Sequence, residues 1–188
     1  MQNPMLERLL DFPVVAAAKN GSGLERALQS PSPVVFILFG DICDVGVLTE
    51  KVKAVGKLAV VHLDLIDGLA NRDISARFIR DNTRADGVIS TKAQLLRSAK
   101  ELGLITVQRF FLLDSMSLEN AEKHIFGGAA DFAEILPGAM PKIIRGFVKT
   151  AGVPVIAGGL IADKEDVVAA LGAGATAVST TREKLWFE

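Results

Sequence analysis

Short apolar runs rich in β-branched residues alternate along this chain with stretches in which apolar residues recur at helical spacing. Each cycle takes about 20 to 25 residues, a pattern typical of βα units that form a parallel sheet. It predicts eight strands, at 14–17, 34–39, 58–63, 87–89, 105–112, 132–135, 155–157 and 177–178. Helices are predicted between them, at 24–29, 45–55, 73–81, 93–102, 118–126, 141–149 and 164–171, with a short closing helix at 182–186.

Residues at the predicted helix ends support these boundaries. Ser115 and Asp163 are candidate N-caps, and Pro141 suits a first helical position. Glycine, which is common where helices stop, stands at 103, 152 and 172.

Eight βα units that close on themselves give a (β/α)8 barrel of the TIM type, an α/β fold that typically takes about 250 residues. With 188 residues the chain has room for one compact barrel, and a single domain over 1–188 is predicted. The alternative is an open doubly wound sheet, in which a GxGxxG turn usually follows the first strand. Residues 17–21 are Ala-Ala-Lys-Asn-Gly and lack that motif, which favours the barrel.

Composition narrows the classes of function. Hydrophobic residues make up 49% of the chain but form no run of about 20 that could span a bilayer, and no secretory signal is evident, so we expect a cytoplasmic protein without a membrane partner. The 21 basic and 22 acidic side chains give a net charge of -1, so no global field attracts nucleic acid. The single cysteine, Cys43, excludes an intramolecular disulfide and a multi-thiolate metal site, and its apolar neighbours predict a packing role.

A polar or glycine residue follows nearly every predicted strand. Ligands of such barrels bind at the carboxyl ends of the strands, so these positions form a candidate binding ring. The ring consists of Lys19, Asp41, Asp64, Ser90, Arg109, Glu134, Gly158 and Ser179. The alternative is that loops simply begin with polar residues.

The last two strands carry the sharpest local signal. Gly158-Gly159 follows the seventh strand, and a diglycine lets backbone N–H groups approach an anion without a Cβ in the way. Ser179-Thr180 ends the eighth strand before a short helix, and it adds hydroxyl donors and a positive helix terminus. Together the two loops predict a phosphate site, although the glycines could instead serve only the turn.

Charged residues near the strand ends have two interpretations each. Arg109 lies in the apolar segment 105–113, where a charge needs a partner or a ligand. Glu134 is the predicted partner of Arg109 or of Lys19, and ligand contact by either cation is the alternative. Asp64 could orient a hydroxylated ligand or coordinate Mg²⁺, although nothing compels a metal. His62 is predicted in the core or the helix layer, because no second histidine lies at metal-ligand spacing.

Six segments, taken in chain order, carry a resemblance to a known family. They are 13–19 (PVVAAAK), 62–68 (HLDLIDG), 87–92 (GVISTK), 108–115 (QRFFLLDS), 134–138 (EILPG) and 156–161 (IAGGLI). Together they resemble the glycerol uptake operon antiterminator family, the glycerol-3-phosphate-responsive RNA-binding regulators of bacteria. The resemblance implies a barrel without catalytic residues or a cofactor that binds glycerol 3-phosphate and acts on the mRNA leader of a glycerol-utilisation operon, where a terminator then fails to stop transcription.

The motifs and the resemblance together define the candidate residues. Those for the ligand are Gly158, Gly159, Ser179, Thr180, Lys19, Asp64, Ser90, Arg109, Glu134 and Gly138. Those for RNA are basic residues expected on neighbouring helices, where phosphate contacts would give salt-dependent affinity: Lys51, Lys53, Lys57, Arg72, Arg77, Arg80 and Arg84. Acidic residues interleave with this set, so an ordinary solvated surface is the alternative.

Two other functions stay open. One is an isomerase or aldolase acting on a small phosphorylated metabolite, with Lys19, Asp64 or Glu134 as base or nucleophile. The short loops after the strands disfavour it, since none is long enough to form a lid that excludes water. The other is a barrel that keeps the ligand site but has lost RNA binding. Whether the chain forms a homo-oligomer is also open.

Overall fold

The fold is a closed barrel of parallel strands. The structure, a computed structural model, describes residues 3–125 and 127–188. Each strand pairs with the next one in sequence, and the last pairs with the first to close the ring. The strands in the described residues are β1 Val14–Ala18, β2 Val34–Ile37, β3 Leu58–His62, β4 Gly87–Ser90, β5 Ile105–Phe111, β6 Phe132–Leu136, β7 Val155–Gly158 and β8 Ala177–Thr180. The predicted (β/α)8 barrel is confirmed.

Helices surround the barrel and precede its first strand. Over the described residues they are α1 Pro4–Asp11, α2 Gly21–Gln29, α3 Val45–Ala54, α4 Asp73–Asn82, α5 Ala93–Glu101, α6 Ser115–Ile125, α7 Pro141–Ala151 and α8 Lys164–Gly172. The predicted closing helix is a single 3-10 turn, Glu183–Trp186, and a second such turn, Leu63–Leu65, follows β3. The predicted helix end at Phe126 lies outside the described residues.

Both faces of the sheet are covered, which explains why apolar residues follow one another along each strand. Side chains alternate between the two faces. On β2, Phe36 points into the barrel, whereas its neighbours Val35 and Ile37 pack against the surrounding helices. The molecule therefore has two apolar cores, one inside the barrel and one between barrel and helices.

Local capping fixes two of the helices near the strand ends. Asp163 caps α8 as predicted, since its side chain accepts a hydrogen bond from the N–H of Asp166 at 3.0 Å. The predicted cap of α6, Ser115, is instead the first residue of that helix. Asp114 does the capping, because its carboxylate accepts from the N–H of Ser117 at 2.8 Å.

A short helix that the sequence pattern did not predict closes one end of the barrel. Helix α1 buries Met5 and Leu9 in the same cluster as Val34 and Leu58, the first residues of β2 and β3. Asn3 caps it, accepting from the N–H of Met5 at 3.0 Å. The amino-terminal end of the barrel is thereby filled with side chains, and the opposite end remains for a site.

We expect Leu9→Ala to destabilise the protein by about 2–5 kcal/mol, because it leaves a cavity at the closed end of the barrel. Leu10→Ala on the same helix is the matched control, since Leu10 is 67% exposed whereas Leu9 is fully buried. Urea unfolding followed by far-UV circular dichroism measures both free energies. Equal losses in the two variants would contradict the role assigned to α1.

Candidate ligand-binding site

A cavity of about 480 Å³ opens at the carboxyl ends of the strands. Its walls come from β1, β5, β6 and β8 and from the loops at 159–162 and 181–182. Ligands of (β/α)8 barrels bind at this end. Four members of the predicted ring line this opening, Lys19, Arg109, Glu134 and Ser179, and the other four, Asp41, Asp64, Ser90 and Gly158, do not.

The buried carboxylate of Glu134 organises one wall of the cavity. Glu134 is fully buried, and its Oε2 accepts from Nε of Arg109 at 2.6 Å. Its Oε1 accepts from the hydroxyl of Ser179 at 2.5 Å. The predicted pair of Arg109 and Glu134 is thus formed, and the alternative pair with Lys19 is not among the ion pairs of the described residues.

Two glycines are required by close approaches beside this network. A Cβ on Gly158 would lie 2.5 Å from the Ser179 hydroxyl and 2.8 Å from Oε1 of Glu134. A Cβ on Gly138 would lie 2.8 Å from the backbone nitrogen of Gly158. Gly158 therefore leaves space for the carboxylate network, and Gly138 lets the loop after β6 pack directly on β7.

The loop after β7 offers backbone donors to the cavity. Gly159 and Leu160 both adopt positive φ angles, of 70° and 59°. The left-handed region costs a residue such as leucine about 1 kcal/mol, and Leu160 is also 74% exposed. In the described part of the chain, no protein acceptor receives the N–H groups of Gly159, Leu160, Ile161 or, after the neighbouring strand β8, Thr181. Such a concave set of free N–H groups suits an anion.

The hydroxyl groups predicted to join this site have other partners. Ser179 donates to Glu134, and Thr180 donates to the carbonyl of Ile161 at 2.9 Å while accepting from the N–H of Arg182 at 3.0 Å. The following helix is only the 3-10 turn noted above. Among the described residues, the backbone N–H groups of the loop after β7 are free donors, whereas the hydroxyls of Ser179 and Thr180 are not.

The side chains that line the cavity carry a net positive charge. Lys19, Arg109 and Arg182 line it together with one carboxylate, Glu134, so three positive charges face one negative charge and leave an excess of two. Lys19 and Arg182 form no ion pair with a described residue. Arg182 was not among the predicted residues, although its position two residues after the end of β8 could have indicated it.

Asp64 and Ser90 lie together but outside the lining of this cavity. The Asp64 carboxylate accepts from the Ser90 hydroxyl at 2.9 Å and from the Thr91 N–H at 2.8 Å. Burial alone would raise the pKa of Asp64, but the donors from Thr91 and Ser90 outweigh it and hold that pKa below its ordinary value. These hydrogen bonds link the carboxyl end of β3 to the carboxyl end of β4.

His62 points into the barrel. Of its two predicted positions, the core is confirmed and the helix layer is excluded. It alternates with Leu58 and Val60, which face the interior. Its ring is 3% exposed, and its Nδ1 has no hydrogen-bond partner among the described residues. Burial, reinforced by the charge of Arg109, lowers the pKa of His62 to about 4, so the ring is neutral at pH 7.

The predicted basic surface is largely neutralised. Lys57 is not on it at all: its side chain is buried, and the ammonium donates to the carbonyls of Ser30 and Ser32. Four of the other residues form ion pairs with acidic neighbours: Lys51 with Glu25, Lys53 with Asp86, Arg77 with Asp81 and Arg84 with Glu50. The two remaining predicted residues, Arg72 and Arg80, are exposed and form no ion pair with a described residue.

Cys43 also differs from expectation. It is exposed, because it lies in the loop between β2 and α3 and not in a packed element. The loop is held by its own contacts, since the Asp41 carboxylate accepts from the N–H groups of Cys43 and Asp44.

Among the described residues, no helix is long and apolar enough to cross a bilayer.

The fold and the site define a (β/α)8 barrel with a cationic cavity at its open end. The chain belongs to the glycerol-3-phosphate responsive antiterminator family, whose model matches residues 14–186. The family resemblance expected from the six segments is confirmed. The family is named for a regulator and not for an enzyme.

Individual relatives agree with this assignment. The uncharacterized protein YgcP of Escherichia coli (strain K12) is 39% identical over 183 residues, 97% of this chain and 96% of that protein. The crystal structure of a glycerol uptake operon antiterminator regulatory protein from Listeria monocytogenes matches with a TM-score of 0.89 and 31% identity, over 94% of this chain and 95% of that one. A glycerol uptake operon antiterminator-related protein from Thermotoga maritima matches with a TM-score of 0.81 and 32% identity, over 92% and 96%.

Gly158→Ala should disrupt the site more than the fold. The added methyl group must displace Ser179 or Glu134, so we expect the stabilisation by a bound phosphorylated ligand to fall sharply. Gly146→Ala is the control, because nothing lies within 4 Å of its Cβ position on α7, and it should stabilise the protein by about 0.5–1 kcal/mol. Thermal unfolding with and without glycerol 3-phosphate measures both. Undiminished ligand stabilisation of Gly158→Ala would contradict the site.

His62 should make the fold sensitive to acid. The unfolded chain, with a histidine pKa near 6.5, binds more protons than the folded chain, whose His62 has a pKa of about 4. Stability is therefore full above about pH 6.5 and falls by about 3 kcal/mol as the pH drops to about 4.

Urea unfolding across that pH range tests this, with His62→Gln as the variant that should lose this part of the slope. His124→Gln is the control, since His124 is exposed on α6. Parallel pH profiles for wild type and His62→Gln would show that His62 is not the titrating group.

Proposed function

We propose that this protein senses glycerol 3-phosphate and, when loaded, binds the mRNA leader of a glycerol-utilisation operon so that transcription passes a terminator. The observation that carries the ligand half is the cavity itself, which is lined both by residues with free backbone N–H groups and by an excess of two positive charges. A doubly negative phosphate supplies both the acceptors and the charge that this wall lacks.

The two ends of the cavity suit the two ends of that ligand. The phosphate fits against the N–H groups of Gly159, Leu160 and Thr181, with Arg182 and Lys19 close by. The glycerol hydroxyls then face Arg109, whose guanidinium carries N–H donors beyond the one that Glu134 accepts. The volume of about 480 Å³ lies within the usual range for small ligands, about 300–1,000 Å³.

The same wall argues against the enzymatic alternative. The carboxylate facing the cavity, Glu134, already accepts from Arg109 and Ser179, which leaves it poorly placed to remove a substrate proton. Asp64, a second candidate, is held by Ser90 and Thr91 outside the cavity lining, so Lys19 is the one candidate that lines the cavity without an ion pair to a described residue. The RNA half of the proposal rests on membership of the antiterminator family.

Thermal unfolding with glycerol 3-phosphate, glycerol and inorganic phosphate tests the ligand. We expect glycerol 3-phosphate at about 100 times its Kd to add roughly 2.7 kcal/mol, and Arg182→Gln to weaken that effect. Arg145→Gln, an exposed arginine on α7, is the control. If glycerol 3-phosphate raises the free energy of unfolding no more than phosphate alone does, glycerol 3-phosphate is not the ligand.

A gel-shift assay with the leader transcript of the source organism's glycerol operon tests the RNA half. We expect retardation that glycerol 3-phosphate strengthens. Turnover of a phosphorylated metabolite without RNA affinity in either ligand state would favour the enzyme instead.

A further inference from the structure

A second opening lies outside the barrel, between α5 and α6. We call it the α5–α6 groove; it has a volume of about 420 Å³ and includes Thr91, Arg97, Gln108, Phe111, Asn120 and His124. It shares no lining residue with the cavity at the barrel mouth. No residue of the predicted basic surface lines it either.

Gln108 is the feature that needs explanation. Strand alternation directs it away from the barrel interior, toward the helices, because it pairs in register with Ser90 and Ala133 on that face. The side chain is 2% exposed, and its Oε1 has no hydrogen-bond partner among the described residues. Leaving a buried amide oxygen unpaired costs about 1–3 kcal/mol, which a ligand carrying the complementary donor would recover.

The other groups around the groove suit a nucleotide. Phe111 is half exposed and can stack on a planar base. The other exposed phenylalanine ring in the described residues, Phe187, is already covered by the Arg26 guanidinium 4.5 Å above it. The chain has no tyrosine, and its single tryptophan, Trp186, is buried. Phe111 and the exposed imidazole of His124 are therefore the aromatic surfaces of the groove that a base can stack on.

The charge in the groove also suits a nucleotide. Arg97 is its one arginine or lysine, no acidic side chain lines it, and Arg97 forms no ion pair with a described residue. The groove also opens along exposed side chains, those of Arg97, Asn120 and His124, so a polynucleotide backbone can pass across it.

We infer that the α5–α6 groove binds one unpaired nucleotide of an RNA, with the Gln108 amide on the base edge, Phe111 against the base and Arg97 on a backbone phosphate. The inference rests on the proposed function, because it names where that RNA is held. Amide side chains pair with base edges through one donor and one acceptor, and the buried, unpartnered Oε1 of Gln108 is the acceptor of such a pair.

Binding of the leader transcript to variants tests the inference. Gln108→Leu keeps the size and removes the amide, and we expect about tenfold weaker binding. Arg97→Gln should weaken binding and lower the slope of log affinity against log salt by about one. Arg145→Gln on α7 is the matched control and should bind as wild type. Stabilisation by glycerol 3-phosphate, unchanged in every variant, shows that each one folds with an intact ligand site.

A direct probe accompanies the RNA assay. Titration of the four nucleoside 5′-monophosphates, followed by NMR, should shift the side-chain amide resonances of Gln108 for at least one base. Wild-type leader affinity in both Gln108→Leu and Arg97→Gln would overturn the inference and leave the proposed function standing. Failure of the wild-type protein to bind the leader in either ligand state would overturn both. If Gln108→Leu does not fold, the exposed residues Arg97 and Asn120 still decide the outcome, through Arg97→Gln and Asn120→Ala.

Discussion

The site depends on one buried carboxylate. Glu134 lies on β6 at the open end of the barrel and has no exposed surface, so an isolated negative charge there would cost several kcal/mol. Arg109 from β5 and the Ser179 hydroxyl from β8 meet it, so the charge is paired and both oxygens are satisfied. Removing either partner would leave a buried group unpaired. The carboxylate therefore fixes the relative positions of three strands at the mouth.

Other features of the mouth follow from that carboxylate. Because Glu134 and Ser179 fill the space beside β7, position 158 has no room for a side chain, and Gly158 is the consequence. Because the same two groups satisfy each other, the hydroxyl of Ser179 is not free for a ligand. The groups that can bind a ligand are those that the network leaves unpaired, namely the N–H groups of the loop after β7 and the cations around them.

Strand periodicity could predict the barrel from sequence. The same periodicity also predicts which strand side chains face the barrel interior and which face the helices. Counting by twos from Leu58 and Val60 places His62 inside the barrel, and counting from Val88 places Ser90 outside it. The predicted ring treated all polar strand ends alike, so it joined inward residues such as Arg109 with outward ones. Pairing partners were harder to predict, because Lys57 meets its carbonyl acceptors only once distant turns come together. Helix α1, eight residues long, was too short for its period to stand out.

Strand β5 brings the two proposed sites to adjacent residues. Arg109 points into the ligand cavity, and Gln108, one Cα before it, points into the α5–α6 groove. Consecutive Cα atoms are about 3.8 Å apart, and the strand is held by ladder bonds on both sides, so neither residue can move far without the other. A ligand that changes the pairing of Arg109 with Glu134 therefore acts on the backbone that positions Gln108. Linkage requires the effect to be reciprocal: if glycerol 3-phosphate strengthens RNA binding by a given factor, the RNA strengthens glycerol 3-phosphate binding by the same factor.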